Sequence, residues 1–179
     1  MDHHLHQRIG KLIGDALQDS PKALKIIKDP ACCADSIDKQ HIPLFLSESK
    51  SRATRFCCVD LLILQDNKIR IIVEIEESDI KPTQVCGKFI ASALSNYYIH
   101  KKDGKPKEMA ESVAFIQVLD SSKLKDRTAK LGQFRLLEES IQQVLPLKGR
   151  RFNNYKLFTG KRDDNFAEMI KFIKDELGP

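Results

Sequence analysis

Three acidic side chains stand out because they lie in two short apolar runs within residues 56–78. Asp60 is in the first run, and Glu74 and Glu76 end the second. Both runs are rich in β-branched and other apolar residues, which predicts strands, and alternate side chains of a strand share a face. A carboxylate in an apolar strand is costly unless it is paired or holds a metal ion. The three acids therefore predict a cation site at one edge of a sheet.

The turn between the two runs decides whether the acids meet. A two-residue loop at 66–67 would place Asp60 opposite Val73, whereas a three-residue loop at 66–68 would place it opposite Glu74, with Cβ atoms ~5 Å apart. A three-residue hairpin loop needs one residue in the left-handed region, which the polar residues of this turn tolerate. The metal-site interpretation therefore predicts the three-residue loop.

The hydrophobic pattern predicts the elements that position these acids. Apolar residues at helical spacing indicate helices over residues 3–18, 82–100, 127–144 and 165–177, and a further short helix is expected over residues 20–27. Apolar runs indicate additional strands at residues 42–46, 113–119 and 155–159. The order predicts a single α/β domain over residues 1–179, with a mixed β-sheet that begins with an antiparallel meander and is flanked by helices.

This order, with one acid in a strand and a second acid at the end of the next, resembles the core of the PD-(D/E)xK, or restriction-endonuclease-like, nuclease superfamily. The family motif is an Asp followed, after a spacer, by Glu-x-Lys, and it corresponds here to Asp60 and to Glu74-Ile75-Glu76. The resemblance covers about residues 42–120. It implies a restriction-endonuclease-like core and a metal-dependent endonuclease that hydrolyses DNA phosphodiester bonds, for example a type II restriction enzyme.

Glu76 departs from the family pattern, because it stands where the family usually has lysine. Some type II restriction enzymes have glutamate at this place and are active. Lys81 or Lys88, from the following loop and helix, would then supply the missing ammonium group. The family also has an acid in a preceding helix or loop, for which Glu48 is the best match.

Mg²⁺ (or Mn²⁺) is the cofactor that this resemblance and this chemistry imply. Mg²⁺ binds hard oxygen ligands and keeps several waters, so two carboxylates and one backbone carbonyl suffice. Asp60 and Glu74 are the expected ligands, with the carbonyl of Ile75 as the third. Such an ion activates water and neutralises charge on the phosphate. Glu76 would orient the water, act as the base or help to bind a second ion, and Lys88 completes the set of candidate catalytic residues.

The composition is that of an ordinary globular protein, with 41% hydrophobic and 31% charged residues. Five cysteines without a CxxC spacing, together with the lack of a secretory signal, predict reduced thiols and a cytoplasmic location. No apolar run reaches membrane-spanning length, so no membrane partner is expected.

The formal net charge of +5 permits binding to DNA, the expected partner. Six basic residues in the second half of the chain are the expected phosphate contacts: Lys123, Lys125, Arg127, Lys148, Arg150 and Arg151. Alternatively, these basic residues lie on solvated loops and helix faces and have no binding role. A homodimer is a further possible assembly.

Less specific interpretations also fit the sequence. Asp60 could pair with Arg55 or Arg70, while the glutamates form a solvated end of the sheet. A protein with a nuclease-like fold could bind nucleic acid or a protein partner without cleavage. Three histidines within residues 3–6 resemble a metal-binding group, but at a fraying terminus they are expected to be exposed and mobile.

Overall fold

A mixed eight-stranded β-sheet and four α-helices make up the part of the chain that the computed structural model describes, which is residues 3–20, 22–33, 41–78, 80–102, 104–124 and 127–178. The helices are α1 (His4–Leu17), α2 (Pro82–Leu94), α3 (Arg127–Val144) and α4 (Ala167–Leu177). The strands are β1 (Leu24–Lys28), β2 (Ile42–Phe45), β3 (Arg55–Val59), β4 (Leu61–Gln65), β5 (Lys68–Glu76), β6 (Tyr97–Ile99), β7 (Pro106–Asp120) and β8 (Phe152–Gly160). The prediction of an α/β fold with a mixed sheet is confirmed.

The sheet has the strand order β1-β4-β5-β7-β6-β2-β3, and β8 pairs with β7. β4 and β5 form an antiparallel hairpin, whereas β5, β7 and β8 are parallel. β7 is long: its first residues pair with β6, and its remainder lies between β5 and β8. The three parallel strands therefore end at the same edge of the sheet.

Helices cover both faces of the sheet. On one face α2 and α3 pack through Phe89 and Phe134, and on the other α1 and α4 pack through Ile9 and Met169. All four of these side chains are fully buried. Burial of one such side chain stabilises the fold by roughly 1.5–3 kcal/mol relative to exposure. Because β5 is covered on both sides, a polar side chain in this strand is surrounded by apolar atoms.

The first apolar run forms two strands, β3 and β4, with Asp60 at the bend between them and not inside a strand, and two further elements also differ from the sequence-based prediction. Leu24–Lys28 is strand β1 and not a short helix, because its residues pair with β4 at the edge of the sheet. The helix predicted to reach residue 100 ends at Leu94, and Tyr97–Ile99 forms β6. In both cases a neighbouring strand, distant in sequence, satisfies the backbone hydrogen-bonding groups.

The hairpin between β4 and β5 has a two-residue loop, and the predicted three-residue loop is wrong. Gln65 pairs with Lys68, and the loop residues Asp66 and Asn67 both have positive φ, at 51° and 64°. Two successive left-handed residues are typical of the type I′ turn, whose twist matches that of the strands. Taken alone, this loop would separate the acids of the two strands.

A β-bulge in β5 restores the register that brings the acids together. The pairing shifts by one residue between Ile63 and Leu64, which makes Arg70 an extra residue in β5. Continued past the bulge to the end of the hairpin, this register places Asp60 opposite Glu74. The register that the metal site requires is therefore present, although a bulge and not the loop produces it.

Candidate metal centre

Asp60 lies at the bend between β3 and β4, beside the end of β5. The N–H of Ile75 in β5 donates to Asp60 Oδ2 at 2.7 Å, in the place of a ladder bond. The N–H and C=O of one strand residue point to the same edge of the strand, so the carbonyl of Ile75 also points toward Asp60. The structure thus places two of the three predicted oxygen ligands next to each other.

Glu74 and Glu76 lie on the face of β5 that α2 covers. Glu74 is fully buried and Glu76 is 6% exposed. Lys88 Nζ lies 3.0 Å from Glu74 Oε2 and 3.6 Å from Glu76 Oε1. Gln84, one turn earlier in α2, donates from Nε2 to Glu76 Oε2 at 3.1 Å. Both side chains reach back to the acids because α2 begins six residues after the end of β5, with Pro82 in its first turn.

His6 joins this group from α1, and the expectation that the N-terminal histidines are exposed is wrong for it. Its side chain is only 9% exposed, with Nε2 3.6 Å from Asp60 Oδ2 and Nδ1 2.5 Å from Glu77 Oε2. The sequence contains a signal for this burial, because His6 has helical spacing with Ile9 and Ile13 on the buried face of α1.

Gln117 is a second residue that the sequence analysis did not single out. It lies beside Glu74 in the register of β5 and β7, and it is fully buried. Its Oε1 accepts a hydrogen bond from the hydroxyl of Tyr155 at 2.6 Å. A lone glutamine in the apolar run 113–119 is the signal that could have identified it.

Asp60 and Glu74 have opposite protonation tendencies. Burial and the negative charge of Asp60 raise the pKa of Glu74 well above its usual value. Burial also acts to raise the pKa of Asp60, but hydrogen bonds with His6, Glu74 and the Ile75 N–H outweigh burial, and the pKa of Asp60 is lowered. Of the two carboxyls, Glu74 is therefore the one that takes up a proton first as the pH falls. A divalent cation would compete directly with that proton.

The contacts of the two basic side chains, Lys88 and His6, favour their protonated forms in spite of burial. Burial acts to lower the pKa of Lys88, but the three carboxylates outweigh it and the pKa is raised. Burial likewise acts to lower the pKa of His6, whereas its contacts with Asp60 and Glu77 raise it above the ordinary value. Burial raises the pKa of Glu76, although the charge of Lys88 opposes the change.

Two buried carboxylate oxygens accept no hydrogen bond from the residues that the structure describes: Glu74 Oε1 and Glu76 Oε1. A buried acceptor left unpaired costs roughly 1–3 kcal/mol. A hard divalent cation with oxygen ligands would satisfy such atoms, and two carboxylates beside a backbone carbonyl match the preference of Mg²⁺. The residues present therefore fit the predicted cofactor.

A second group of candidate ligands lies beside these acids. His3, His6 and Glu77 each offer a ligand atom, and these atoms all lie within 4.8 Å of one another. The group differs in chemistry from the three acids because two of its ligands are imidazole nitrogens. It also joins two elements, since the histidines begin α1 and Glu77 follows β5.

The site opens into a cleft of ≈ 820 Å³ at the carboxyl ends of the parallel strands. Asp60, Glu76 and Lys88 line this cleft, together with Lys123 from the segment after β7 and 161–162 from the segment after β8. Lys123, Lys161 and Arg162 are exposed on the cleft wall. Ligands commonly bind outside the carboxyl ends of strands in α/β sheets.

Several predicted residues lie elsewhere. Glu48 is exposed and interacts with Tyr97 near the opposite end of the sheet, so the structure does not bring it to the acids. The pairing of Asp60 with Arg70 is wrong, since Arg70 donates to two backbone carbonyls at the start of β5. Of the two candidate lysines, Lys88 has its ammonium group against Glu74.

The predicted phosphate contacts divide between the two ends of the sheet. Lys123 lies at the cleft, whereas Arg150 and Arg151 precede β8 and donate to backbone carbonyls at the other end. Lys125 and the side chain of Arg127 lie outside the described residues. The positive charge of the cleft therefore comes partly from residues after β8 that the sequence analysis did not select.

No family model matches the chain, and searches of curated proteins and solved structures also find no match. Within the described ranges, none of the helices has the length and apolar character needed to cross a membrane. Function must therefore be argued from the geometry and chemistry of the residues.

Proposed function

We propose that the protein is a metal-dependent endonuclease that hydrolyses DNA phosphodiester bonds with a variant PD-(D/E)xK site, in a restriction-endonuclease-like core over about residues 42–120. The observation that carries the proposal is the convergence of Asp60, Glu74, Glu76 and Lys88 at the carboxyl end of β5. A cluster that only stabilised the fold would satisfy its own acceptors, yet two of these carboxylate oxygens accept no hydrogen bond from the described residues. Perturbed acids and bases that line a cleft are typical of active sites.

The oxygen ligands of the metal would come from Asp60, Glu74 and the carbonyl of Ile75. Mg²⁺ or Mn²⁺ would supply charge neutralisation at the phosphate and a more acidic bound water. Asp60 is ionised over a wide pH range because its pKa is lowered. Glu74 supplies a second negative charge once a cation has replaced its proton. The hydrogen bond from the Ile75 N–H fixes the direction of the Asp60 carboxylate.

Lys88 would supply the ammonium group that the motif lacks at residue 76. Its raised pKa keeps it charged, which suits stabilisation of the negative charge that develops on the phosphate, and not proton abstraction. Glu76 is held by Gln84 at 3.1 Å and would orient the attacking water or accept its proton. The raised pKa of Glu76 moves it toward the range in which a general base is effective.

The cleft supports a polyanionic substrate. Lys123, Lys161 and Arg162 are exposed on its wall, at the same edge of the sheet as the acids. Basic side chains around an acidic metal site allow a phosphate backbone to approach, because they offset the repulsion between carboxylates and phosphates.

Cleavage of plasmid DNA tests this function. We expect the purified chain to cleave in Mg²⁺ or Mn²⁺ and to lose cleavage in EDTA. Asp60→Asn should abolish cleavage and retain DNA binding, because the amide keeps the shape of the side chain and removes a charged ligand. Glu48→Gln is the matched control, since Glu48 is an exposed acid outside the site, and it should cleave like the wild type.

Two outcomes would contradict the proposal. Cleavage that survives in Asp60→Asn would exclude this mechanism. DNA binding without cleavage by the wild type, in either metal, would favour a binding protein that has the acids but no hydrolytic activity.

A further inference from the structure

We propose that His3, His6 and Glu77 form a second metal site, which takes a transition-metal ion of the Zn²⁺ class and is distinct from the oxygen site of the proposed nuclease. The ligand atoms of the three residues lie within 4.8 Å of one another. His3 is the N-cap residue of α1, His6 lies in the first turn of that helix, and Glu77 follows β5. The proposal concerns metal binding and stands independently of DNA cleavage.

The two oxygens of Glu77 have separate roles. Oε1 accepts a hydrogen bond from the backbone N–H of Leu5 at 2.5 Å, which fixes the carboxylate at the start of α1. Oε2 faces both histidines, 2.5 Å from His6 Nδ1 and 3.7 Å from His3 Nδ1. One oxygen therefore anchors the side chain, and the other is directed to the point between the two imidazoles.

These separations are close to those of a metal site. Zinc binds nitrogen and carboxylate oxygen at about 2.0–2.2 Å, so two ligand atoms of a tetrahedral ion lie roughly 3.3 Å apart. The 3.7 Å between His3 Nδ1 and Glu77 Oε2 is near this distance. The 2.5 Å between His6 Nδ1 and Glu77 Oε2 must open by less than an ångström when an ion replaces the hydrogen bond.

The remaining nitrogen of His6 also suits a metal ligand. His6 Nε2 lies 3.6 Å from Asp60 Oδ2, on the opposite side of the ring from Glu77. A metal-bound histidine usually donates its other N–H to a carboxylate, which orients the ring and strengthens the ligand. Asp60 is placed for this role, so it connects the histidine site with the acids of β5.

The ligand set favours a transition metal over Mg²⁺. Imidazole nitrogens suit Zn²⁺, Cu²⁺ and Ni²⁺, whereas carboxylate, carbonyl and water oxygens suit Mg²⁺ and Mn²⁺. Two histidines and one glutamate also form one of the three-ligand sets of zinc sites that keep an open position. Here that position would face the ≈ 820 Å³ cleft, which His3, His6 and Glu77 line.

Titration of the full chain with Co²⁺ tests the site, because tetrahedral cobalt absorbs visible light far more strongly than octahedral cobalt. We expect one equivalent of Co²⁺ with tetrahedral absorption, displaced by Zn²⁺ and not by an equal concentration of Mg²⁺. His3→Gln, His6→Gln and Glu77→Gln should each weaken Co²⁺ binding at least tenfold. His100→Gln is the control, since His100 lies after β6, away from the cleft, and it should bind like the wild type.

The Glu74→Gln variant separates this proposal from the nuclease. It removes a ligand of the oxygen site, so cobalt absorption that persists in this variant belongs to the histidine site. His3→Gln is the decisive variant because the His3 side chain is 43% exposed and its loss is compatible with folding, which circular dichroism verifies. Tetrahedral absorption that is unchanged in His3→Gln, or only weak octahedral absorption in the wild type, would overturn the proposal.

Discussion

The two ends of β5 hold charged groups in opposite ways. Near its start, the Arg70 guanidinium donates to the backbone carbonyls of Ser112 and Glu176, so the partners of this charged group belong to the fold itself. At its end, Glu74 and Glu76 are buried, and both have raised pKa values. Each of the two carboxyls also has one oxygen that accepts no hydrogen bond from the described residues. The same strand therefore contains one charged side chain that is hydrogen-bonded to the fold and two acids whose burial opposes ionisation.

This difference indicates where function lies. A half-buried charge such as that of Arg70 costs little when its hydrogen-bond partners belong to the fold. A buried charge without a full set of partners persists where binding or catalysis requires it. The comparison predicts that substitutions at the two ends of β5 will have opposite effects on stability and activity.

The largest effect is expected from Glu74→Gln. Cleavage should fall by roughly a thousandfold, because metal-ion catalysis contributes several kcal/mol and each ~1.4 kcal/mol is a factor of ten. The melting temperature of the metal-free protein should rise at neutral pH, since the amide is uncharged without binding the proton that the raised pKa of Glu74 favours. Plasmid cleavage and thermal denaturation in EDTA measure the two effects, and a lower melting temperature would contradict the contrast between the two ends.

Arg70→Met should show the reverse pattern. Loss of two hydrogen bonds from a charged donor leaves two carbonyls without their partner, so the free energy of unfolding should fall by about 2–3 kcal/mol. Cleavage per folded molecule should stay within about twofold of the wild type, because Arg70 is remote from the acids. Urea denaturation measures the loss, and Lys68→Met, an exposed lysine at the start of the same strand, is the control.

The acids at the end of β5 should also make the stability of the metal-free protein depend on pH. The folded-state pKa of Glu74 lies above its ordinary value of 4.5, and that of His6 lies above 6.5, so each group contributes stability that is lost as the pH rises through its folded-state pKa. The lowered pKa of Asp60 acts in the opposite direction and removes stability as the pH falls below 3.8. Each group changes the free energy of unfolding by at most about 1.4 kcal/mol per pH unit.

Denaturation in EDTA across the pH range measures this dependence. Stability should decline from pH ~5 upward, and Glu74→Gln should flatten the decline. Saturating Mg²⁺ should restore stability at high pH, by about 2.7 kcal/mol at a hundredfold excess over the dissociation constant. If the stability of the wild type in EDTA rises with pH, ionisation of the buried acids does not destabilise the metal-free protein.

The smallest effect concerns the basic residues at the two ends of the sheet. Lys161→Gln with Arg162→Gln should lower DNA affinity and reduce the slope of log affinity against log salt by about 2, since each phosphate contact contributes ~0.9. Lys148→Gln, an exposed lysine before β8 at the far end, should leave both unchanged. Fluorescence anisotropy at several salt concentrations measures both, and a larger effect of Lys148→Gln would place DNA at the other end.

Some of these features follow from sequence alone. Alternation along a strand places Glu74 and Glu76 on one face, and their position at the end of an apolar run places them at the edge of the core. Helical spacing after Pro82 directs Lys88 and Gln84 toward the acids, and the structure shows both contacts. These features are local, because each depends on residues fewer than fifteen positions apart.

Other features are decided only by tertiary structure. Asp66 and Asn67 favour a two-residue turn, but no residue type in β5 predicts the bulge at Arg70 that realigns the two strands. Arg70 is the extra residue of that bulge, and its guanidinium donates to the carbonyls of Ser112 and Glu176, which are distant in the sequence.

The contribution of α1 is decided in the same way. The sequence determines that His6 lies on the buried face of a helix, yet only the packing of that helix against the end of β5 places its ring between Asp60 and Glu77. The sequence therefore determined the three acids, the strand that carries Glu74 and Glu76, and the lysine that faces them. The fold decided the register of the hairpin and the position of the histidines beside it. His6 contacts Glu77, about seventy residues away, and no local pattern encodes such a contact.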